Sequence, residues 1–180
     1  MSSKESTASS PATARIAEAG MALALAFVLK VASVRVMPAG GGVSLAALAP
    51  LWLFAMRHGA WRGAGLGASF GALQLILRPE VVYWAQALLD YPVAFASVGA
   101  AALPWGRPVA GCVLATLARY GAHVASGVVF WSSAAPVGVP VLEYSLAYNL
   151  YVFPDALLAG LALAAISRRV PVARIVEGRP

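Results

Sequence analysis

The sequence predicts an all-α fold, an integral membrane bundle of six transmembrane helices. Three observations predict it. Hydrophobic residues make up 61% of 180 positions and charged residues 11%, whereas a soluble domain is about 45–50% apolar and about 25% charged. The apolar residues fall into six runs separated by turns rich in proline, glycine and arginine, and a helix needs about 20 such residues to cross a bilayer. Basic residues gather at the ends of these runs and favour alternate turns, which is the pattern of a topology signal. In a soluble protein the net charge of +6 would raise nucleic acid as a partner. Its placement here makes the partner a lipid bilayer, and no nucleic-acid partner is expected. The single cysteine, Cys112, excludes an internal disulfide and any multi-cysteine metal site. No cofactor and no metal are expected.

Three segments follow. Residues 1–14 are small and polar and are expected to be a disordered tail. Residues 15–167 form the membrane domain, and residues 168–180 a basic tail. The first span covers residues 16–34, with Lys30 in its outer part. A signal peptide is the rival reading, but Lys30 and Arg35 fit a cleavage region poorly. Ala22 and Ala26 make a small-xxx-small pair of the kind that lets another helix approach closely. The alanine-rich composition offers a plainer explanation of the same pair.

The second span, residues 43–56, is short and contains Pro50, and residues 37–42 before it (MPAGGG) read as a flexible loop. Arg57, His58 and Arg62 mark a basic turn. The third span, residues 63–77, carries Gly63, Gly65, Gly67 and Gly71, which suits tight helix packing. The fourth, residues 81–103, holds Gln86, Asp90 and Pro92. The fifth is residues 109–131. The sixth, residues 142–166, holds Tyr144, Tyr148, Asn149, Pro154 and Asp155. Six spans put both termini on one side. That side collects nine basic residues (Lys4, Arg15, Arg57, Arg62, Arg107, Arg168, Arg169, Arg174 and Arg179) against two opposite, Arg35 and Arg78. The excess predicts cytoplasmic termini in a prokaryotic plasma membrane.

With that orientation the polar residues inside the spans converge near the outer surface. Arg119, His123, Gly127 and Trp131 are spaced i, i+4, i+8, i+12, one slowly drifting helical stripe. Gly127 leaves a notch between an imidazole and an indole, into which a flat cationic ligand fits by stacking and cation–π attraction. The competing reading is a helix contact at Gly127 and an interfacial tryptophan. Asp90 is costly in hydrocarbon unless paired. Its possible partners are Arg119, His123 or a donor on a ligand, and Gln86 lies one turn away on the same face. An internal polar network is the alternative to a ligand site.

These residues sit in the stretches VSLAALAPLWLFAMRHG (43–59), WAQALLDYPVAFA (84–96), RYGAHVASGVVFW (119–131) and YSLAYN (144–149). In their order and spacing the chain resembles the thiamine-specific membrane subunit of energy-coupling factor transporters. The resemblance implies that His123 and Trp131 flank the thiamine rings, with Gly127 between them. It implies that Asp90 contacts the ligand from span four, and Tyr144 and Asn149 from span six. Asp90 is shorter than the glutamate of the family. No tryptophan stands in the first outer loop near Gly41, and Glu80 stands where a tyrosine is found. Glu80, Tyr83 and Gln86 are candidates to compensate, with Arg119 and Tyr148 as further candidates. The resemblance also implies docking onto a membrane coupling subunit and two ATPases, for which Ala22 and Ala26 are the candidate surface.

Other classes are weighed on the residues. No G-x-x-x-x-G-K-[ST] loop is present, so this chain does not hydrolyse ATP in that manner. A capture subunit for a related heterocycle, such as a thiamine-derived pyrimidine, is the nearest alternative. A stand-alone secondary transporter calls for inverted repeats and broken helices at mid-membrane, and no clear repeat is evident. An intramembrane enzyme has only Ser126, His123 and Asp90 to draw on, with nothing marking Ser126 as activated. No catalytic residue is assigned.

Overall fold

The computed structural model describes residues 10–38, 40–77, 79–103 and 106–169. Most of the predicted tails, with Lys4, Arg174 and Arg179, lies outside these residues, as does Arg78. Six helical crossings are present. Three are long and apolar enough to span a bilayer by themselves: Pro11–Val31, Pro108–Phe130 and the unit Val141–Ser167. The other three are short, packed on glycine, or broken, and their irregularities shape the interior.

Helix α1 (Pro11–Val31) begins earlier than expected. Ser10 caps it, its Oγ accepting from the Thr13 N–H at 3.2 Å, and Pro11 takes the first turn. Residues 11–14 therefore belong to the helix and not to a disordered tail. The loop predicted after it is partly ordered. Strands β1 (Val34–Arg35) and β2 (Gly42–Val43) pair antiparallel, Val34 opposite Val43. The backbone N–H groups of Val36 and Met37 both donate to the Gly41 carbonyl. Gly40, at φ +93°, supplies the left-handed turn.

The second crossing is only half helical. Helix α2 (Leu48–His58) has 11 residues, a rise of about 16 Å at about 1.5 Å each, about half of a hydrocarbon core of about 30 Å. The stretch before it runs as non-helical chain, with Ala46 at φ 64°. Exposed backbone of this kind is excluded from lipid. Here Ser44 and Ala47 are almost inaccessible, while the apolar Leu45 side chain is exposed. Eight of the 11 residues of α2 are buried, so it is the central element of the core, with Trp52, Leu51 and Phe54 packed on Phe70, Phe95 and Val98.

Helix α3 (Ala60–Leu77) lies against the fourth crossing through glycines spaced one turn apart. A Cβ on Gly67 would overlap the Phe95 carbonyl, and one on Gly71 the Tyr91 carbonyl. Gly65 faces open space and takes no part. Gly71→Ala is expected to destabilise the bundle by about 1–3 kcal/mol through overpacking, read as a lower thermal midpoint in detergent, whereas Gly65→Ala should be neutral or slightly stabilising.

The fourth crossing is broken into α4 (Trp84–Leu88), a π-helical segment (Leu89–Val93), α5 (Ala94–Ala96) and a 3-10 segment (Ser97–Ala102). Pro92 has no N–H to give to the preceding turn, so the regular ladder cannot pass through it. The widened π turn carries Asp90. The fifth crossing is α6 (Pro108–Phe130). The sixth consists of α7 (Val141–Tyr148), a 3-10 turn (Asn149–Tyr151) and α8 (Val152–Ser167), the break falling just before Pro154.

The candidate docking alanines point the wrong way for a free surface. Ala26 is fully buried and Ala22 is half-buried against the core. They seat α1 on its own bundle. Glu18 reinforces that seat, meeting His58 Nε2 at 2.6 Å and Arg57 Nε at 3.1 Å.

Candidate functional site

The breaks in spans four and six, the hairpin and α6 enclose one cavity of about 220 Å³. Asp90, His123, Gly127, Trp131, Tyr144 and Asn149 all line it. So do Glu80, Gln86, Arg119 and Tyr148. Tyr83 does not. It is exposed, with its ring against Phe130 at 6.0 Å, and is corrected to a surface residue.

Asp90 is held from two sides. Its Oδ1 lies 3.2 Å from His123 Nδ1, and its Oδ2 accepts from Gln86 Nε2 at 2.7 Å. Gln86 also donates to the Glu80 carbonyl and accepts from the Val82 N–H. One amide thus ties the carboxylate to the loop between spans three and four. The helical turn between Gln86 and Asp90 makes this possible. His123 Nε2 is buried and has no hydrogen-bond partner among the described residues.

Among the described residues, the charge partner of Arg119 is Asp155 and not Asp90. Its Nη1 donates to Asp155 Oδ2 at 2.7 Å, and both side chains are almost fully buried. Its guanidinium also lies 4.5 Å from the centre of the Phe95 ring. The other oxygen of Asp155 accepts from the Ser44 N–H at 2.7 Å and the Ser44 hydroxyl at 2.6 Å. One carboxylate therefore fixes α6, α8 and the irregular stretch before α2, which directly follows the hairpin. Together with the Leu45 N–H on the Leu29 carbonyl and the Ala47 N–H on Ser44 Oγ, it satisfies donors of the non-helical backbone of span two.

Gly127 serves both readings offered by the sequence. It lines the cavity, and a Cβ there would overlap Ser145 Oγ, so it also admits span six. Ser145 in turn donates to the Val124 carbonyl at 2.9 Å. Asn149, at the 3-10 break, donates to the Ser145 carbonyl at 2.9 Å and to that of His123 at 3.4 Å. Spans five and six are thereby locked with their polar residues facing one space. Tyr144 and Tyr148 pack one turn apart, their rings tilted by 46° with centroids 5.8 Å apart. Trp131 is the first residue beyond α6, and it lines the cavity from the end of the helix.

Several lining residues went unread in the sequence: Lys30, Gln74, Tyr91, Phe95 and Tyr151. Tyr151 sits 6.2 Å from His123, ring to ring, and beneath the hairpin, where a Cβ on Gly41 would meet its ring at 2.8 Å. The polar residue Gln74 inside an apolar third span was the available signal for that wall. Lys30, a charge in the outer part of span one, was a second signal; Tyr91, Phe95 and Tyr151 carried none, since an aromatic in a membrane span is ordinary.

In sum of chemistry, the cavity offers a carboxylate whose two oxygens are oriented, an imidazole with an unpartnered nitrogen, and aromatic faces from Trp131, Tyr144, Tyr148 and Tyr151. It suits a flat, cationic, hydrogen-bonding molecule.

A family model described as thiamine transporter protein matches residues 16–174. Thiamine transporter ThiT of Bacillus subtilis (strain 168) is 35% identical over 153 residues, covering 75% of this chain and 79% of that protein. Thiamine transporter ThiT of Lacticaseibacillus paracasei is 36% identical over 122 residues, 57% of this chain and 61% of that one. The structure of ThiT from Listeria monocytogenes superposes with a TM-score of 0.80 at 19% identity, over 91% of this chain and 97% of that chain. The last shows the fold alone. The chain is a multi-pass membrane protein and belongs to the thiamine transporter protein family.

Proposed function

We propose that this chain is the thiamine-capturing membrane subunit of an energy-coupling factor uptake transporter, with its termini in the cytoplasm and its cavity facing outward. The observation that carries the reading is the Asp90–His123–Gln86 cluster beside Trp131. The thiazolium of thiamine is a fixed cation, and an indole face attracts a cation by about 0.5–2 kcal/mol. Asp90 offers its charge to the cation or accepts from the pyrimidine amino group. Tyr144, Asn149 and Gly127 shape the walls around the rings. The hairpin over Tyr151 excludes water from the bound vitamin.

ATP-driven delivery requires a partner, because the chain carries no phosphate-binding loop for ATP. A membrane coupling subunit and two ATPases supply the energy. The exposed face of α1, with Ala17, Gly20 and Ala24, is the better docking candidate now that Ala26 is buried. Vesicles containing the chain alone should bind thiamine but not accumulate it. Addition of the coupling subunit and ATPases, with ATP inside, should start uptake. Accumulation by the chain alone would favour a stand-alone secondary transporter and overturn the assignment.

A further inference from the structure

Gln86 lines the cavity, yet its amide has no donor left for a ligand. The residue is 1% exposed. A side-chain amide has two N–H donors and one oxygen. The nitrogen of Gln86 donates to the Glu80 carbonyl at 3.1 Å and to Asp90 Oδ2 at 2.7 Å, and its oxygen accepts from the Val82 N–H at 3.0 Å. These partners decide which way the amide faces. A backbone N–H only donates, so the oxygen stands at Val82. A carbonyl and a carboxylate only accept, so the nitrogen stands between Glu80 and Asp90. Two of the three partners are backbone groups of the loop before α4, so the frame is built by the chain itself and is in place before any ligand arrives.

The polarity continues to His123. Asp90 Oδ1 lies 3.2 Å from His123 Nδ1. A carboxylate only accepts, so the proton of this contact belongs to Nδ1. Backbone, amide, carboxylate and imidazole thus form one line from the loop of residues 80–82 to α6. Asp90 needs such a frame, because it sits in the π turn at Pro92, where the regular helix is broken.

We propose that Gln86 is a positioning residue. It makes no contact with the vitamin, holds Asp90 in one orientation, and through Asp90 keeps a proton of His123 on Nδ1. This rests on the thiamine reading above. A carboxylate ordered in advance loses little freedom when the ligand binds, and the saving appears as affinity. The rival role lies in the loop. The amide also ties down Glu80 and Val82, and Glu80 meets Arg35 of the hairpin at 3.2 Å. A variant that only loosened this loop would weaken binding without involving Asp90.

A double-mutant cycle in thiamine affinity separates the two roles, on the purified full chain in detergent. Gln86→Met keeps the length of the side chain and removes the amide. Asp90→Ala removes the carboxylate that the amide orients. Gln86→Met alone should weaken thiamine binding about tenfold, the scale of one hydrogen bond to a charged group. In the Asp90→Ala background the same change should move Kd by less than about twofold, because nothing remains for Gln86 to orient. An equal loss in both backgrounds would overturn the proposal, since it would mark a direct ligand contact or a role confined to the loop. So would a Gln86→Met Kd within about twofold of wild type.

The second readout is the proton position on His123, taken from the ring nitrogen signals of isotope-labelled histidine at neutral pH. The chain has two histidines, and the signals lost in His123→Ala identify the ring. The ligand-free wild type should carry the proton on Nδ1. Gln86→Met should show a mixture of tautomers, because Asp90 is no longer held against the ring. A wild-type ring protonated on Nε2 alone would overturn the proposal without recourse to any Gln86 variant, and a Gln86→Met ring indistinguishable from wild type would do so too. Failure of the wild-type chain to bind thiamine would instead strike the function proposed above, and the proton position would still be readable.

Discussion

Replacing Asp90 with asparagine is expected to weaken thiamine binding by about two to three orders of magnitude. Loss of one partner from a buried, hydrogen-bonded charge pair costs about 2–5 kcal/mol, and about 1.4 kcal/mol is tenfold in Kd. Asp90 is well placed for such a loss. Its side chain is 18% exposed, between His123 at 3.2 Å and Gln86 at 2.7 Å. Asparagine keeps the shape and can still accept one of these contacts, while the charge disappears. The bundle should survive, since the π turn depends on Pro92 and on the close approach of Gly71. Thermal unfolding should therefore move by only a few degrees, while calorimetry shows the affinity loss. An unchanged Kd would mean that the carboxylate serves an internal polar network and not a ligand.

Asp155→Ala is expected to act the other way round, on stability first. It leaves Arg119 buried without its counter-charge and removes the acceptor for both the Ser44 N–H and the Ser44 hydroxyl. Breaking a buried pair by removing one partner costs about 3–5 kcal/mol, against a total domain stability of about 5–15 kcal/mol. The variant should unfold at a markedly lower temperature, or express poorly. The double variant Arg119→Met, Asp155→Leu should recover part of the loss, since apolar replacement of a whole buried pair is often neutral. It should not recover the anchoring of Ser44. Equal stability of Asp155→Ala and wild type would show that the pair does not hold the irregular stretch before α2 in place.

What was legible from the residues is what helical periodicity and hydropathy report. The i, i+4 spacing of His123 and Gly127 was enough to place them on one wall, because side chains four apart share a face, whereas Trp131 lies one residue past the end of α6 and the helical period does not carry to it. The six crossings followed from apolar run length. Long-range pairing was not legible. Arg119 meets Asp155 across 36 residues, and Ser44 meets Asp155 across 111. No local pattern links such positions. Hydropathy counts composition and is blind to conformation, so residues 43–56 read as a helical span although the first part is irregular, non-helical chain. Pro92 signalled a break in span four but not that the break would be a π turn. The glycines of residues 37–42 read as flexible, while the pairing that orders them comes from Val34 and Val43 on either side. Ala22 and Ala26 fit a docking pattern on spacing alone, and only the packing of α1 against α2 decides which face of that helix is free.

The central claim is that the cavity binds thiamine through Asp90, His123 and Trp131. The most direct measurement is isothermal titration of the purified chain with thiamine, its pyrimidine half and its thiazolium half, on wild type and on Trp131→Ala and His123→Ala. Saturable binding of thiamine by the wild type is expected, with far weaker binding of each half, and a loss of about five- to thirtyfold in affinity in each variant, the scale of one stacking or cation–π contact of about 1–2 kcal/mol. Binding of the pyrimidine half as tight as that of thiamine, or no binding of any of the three by the wild type, would contradict it.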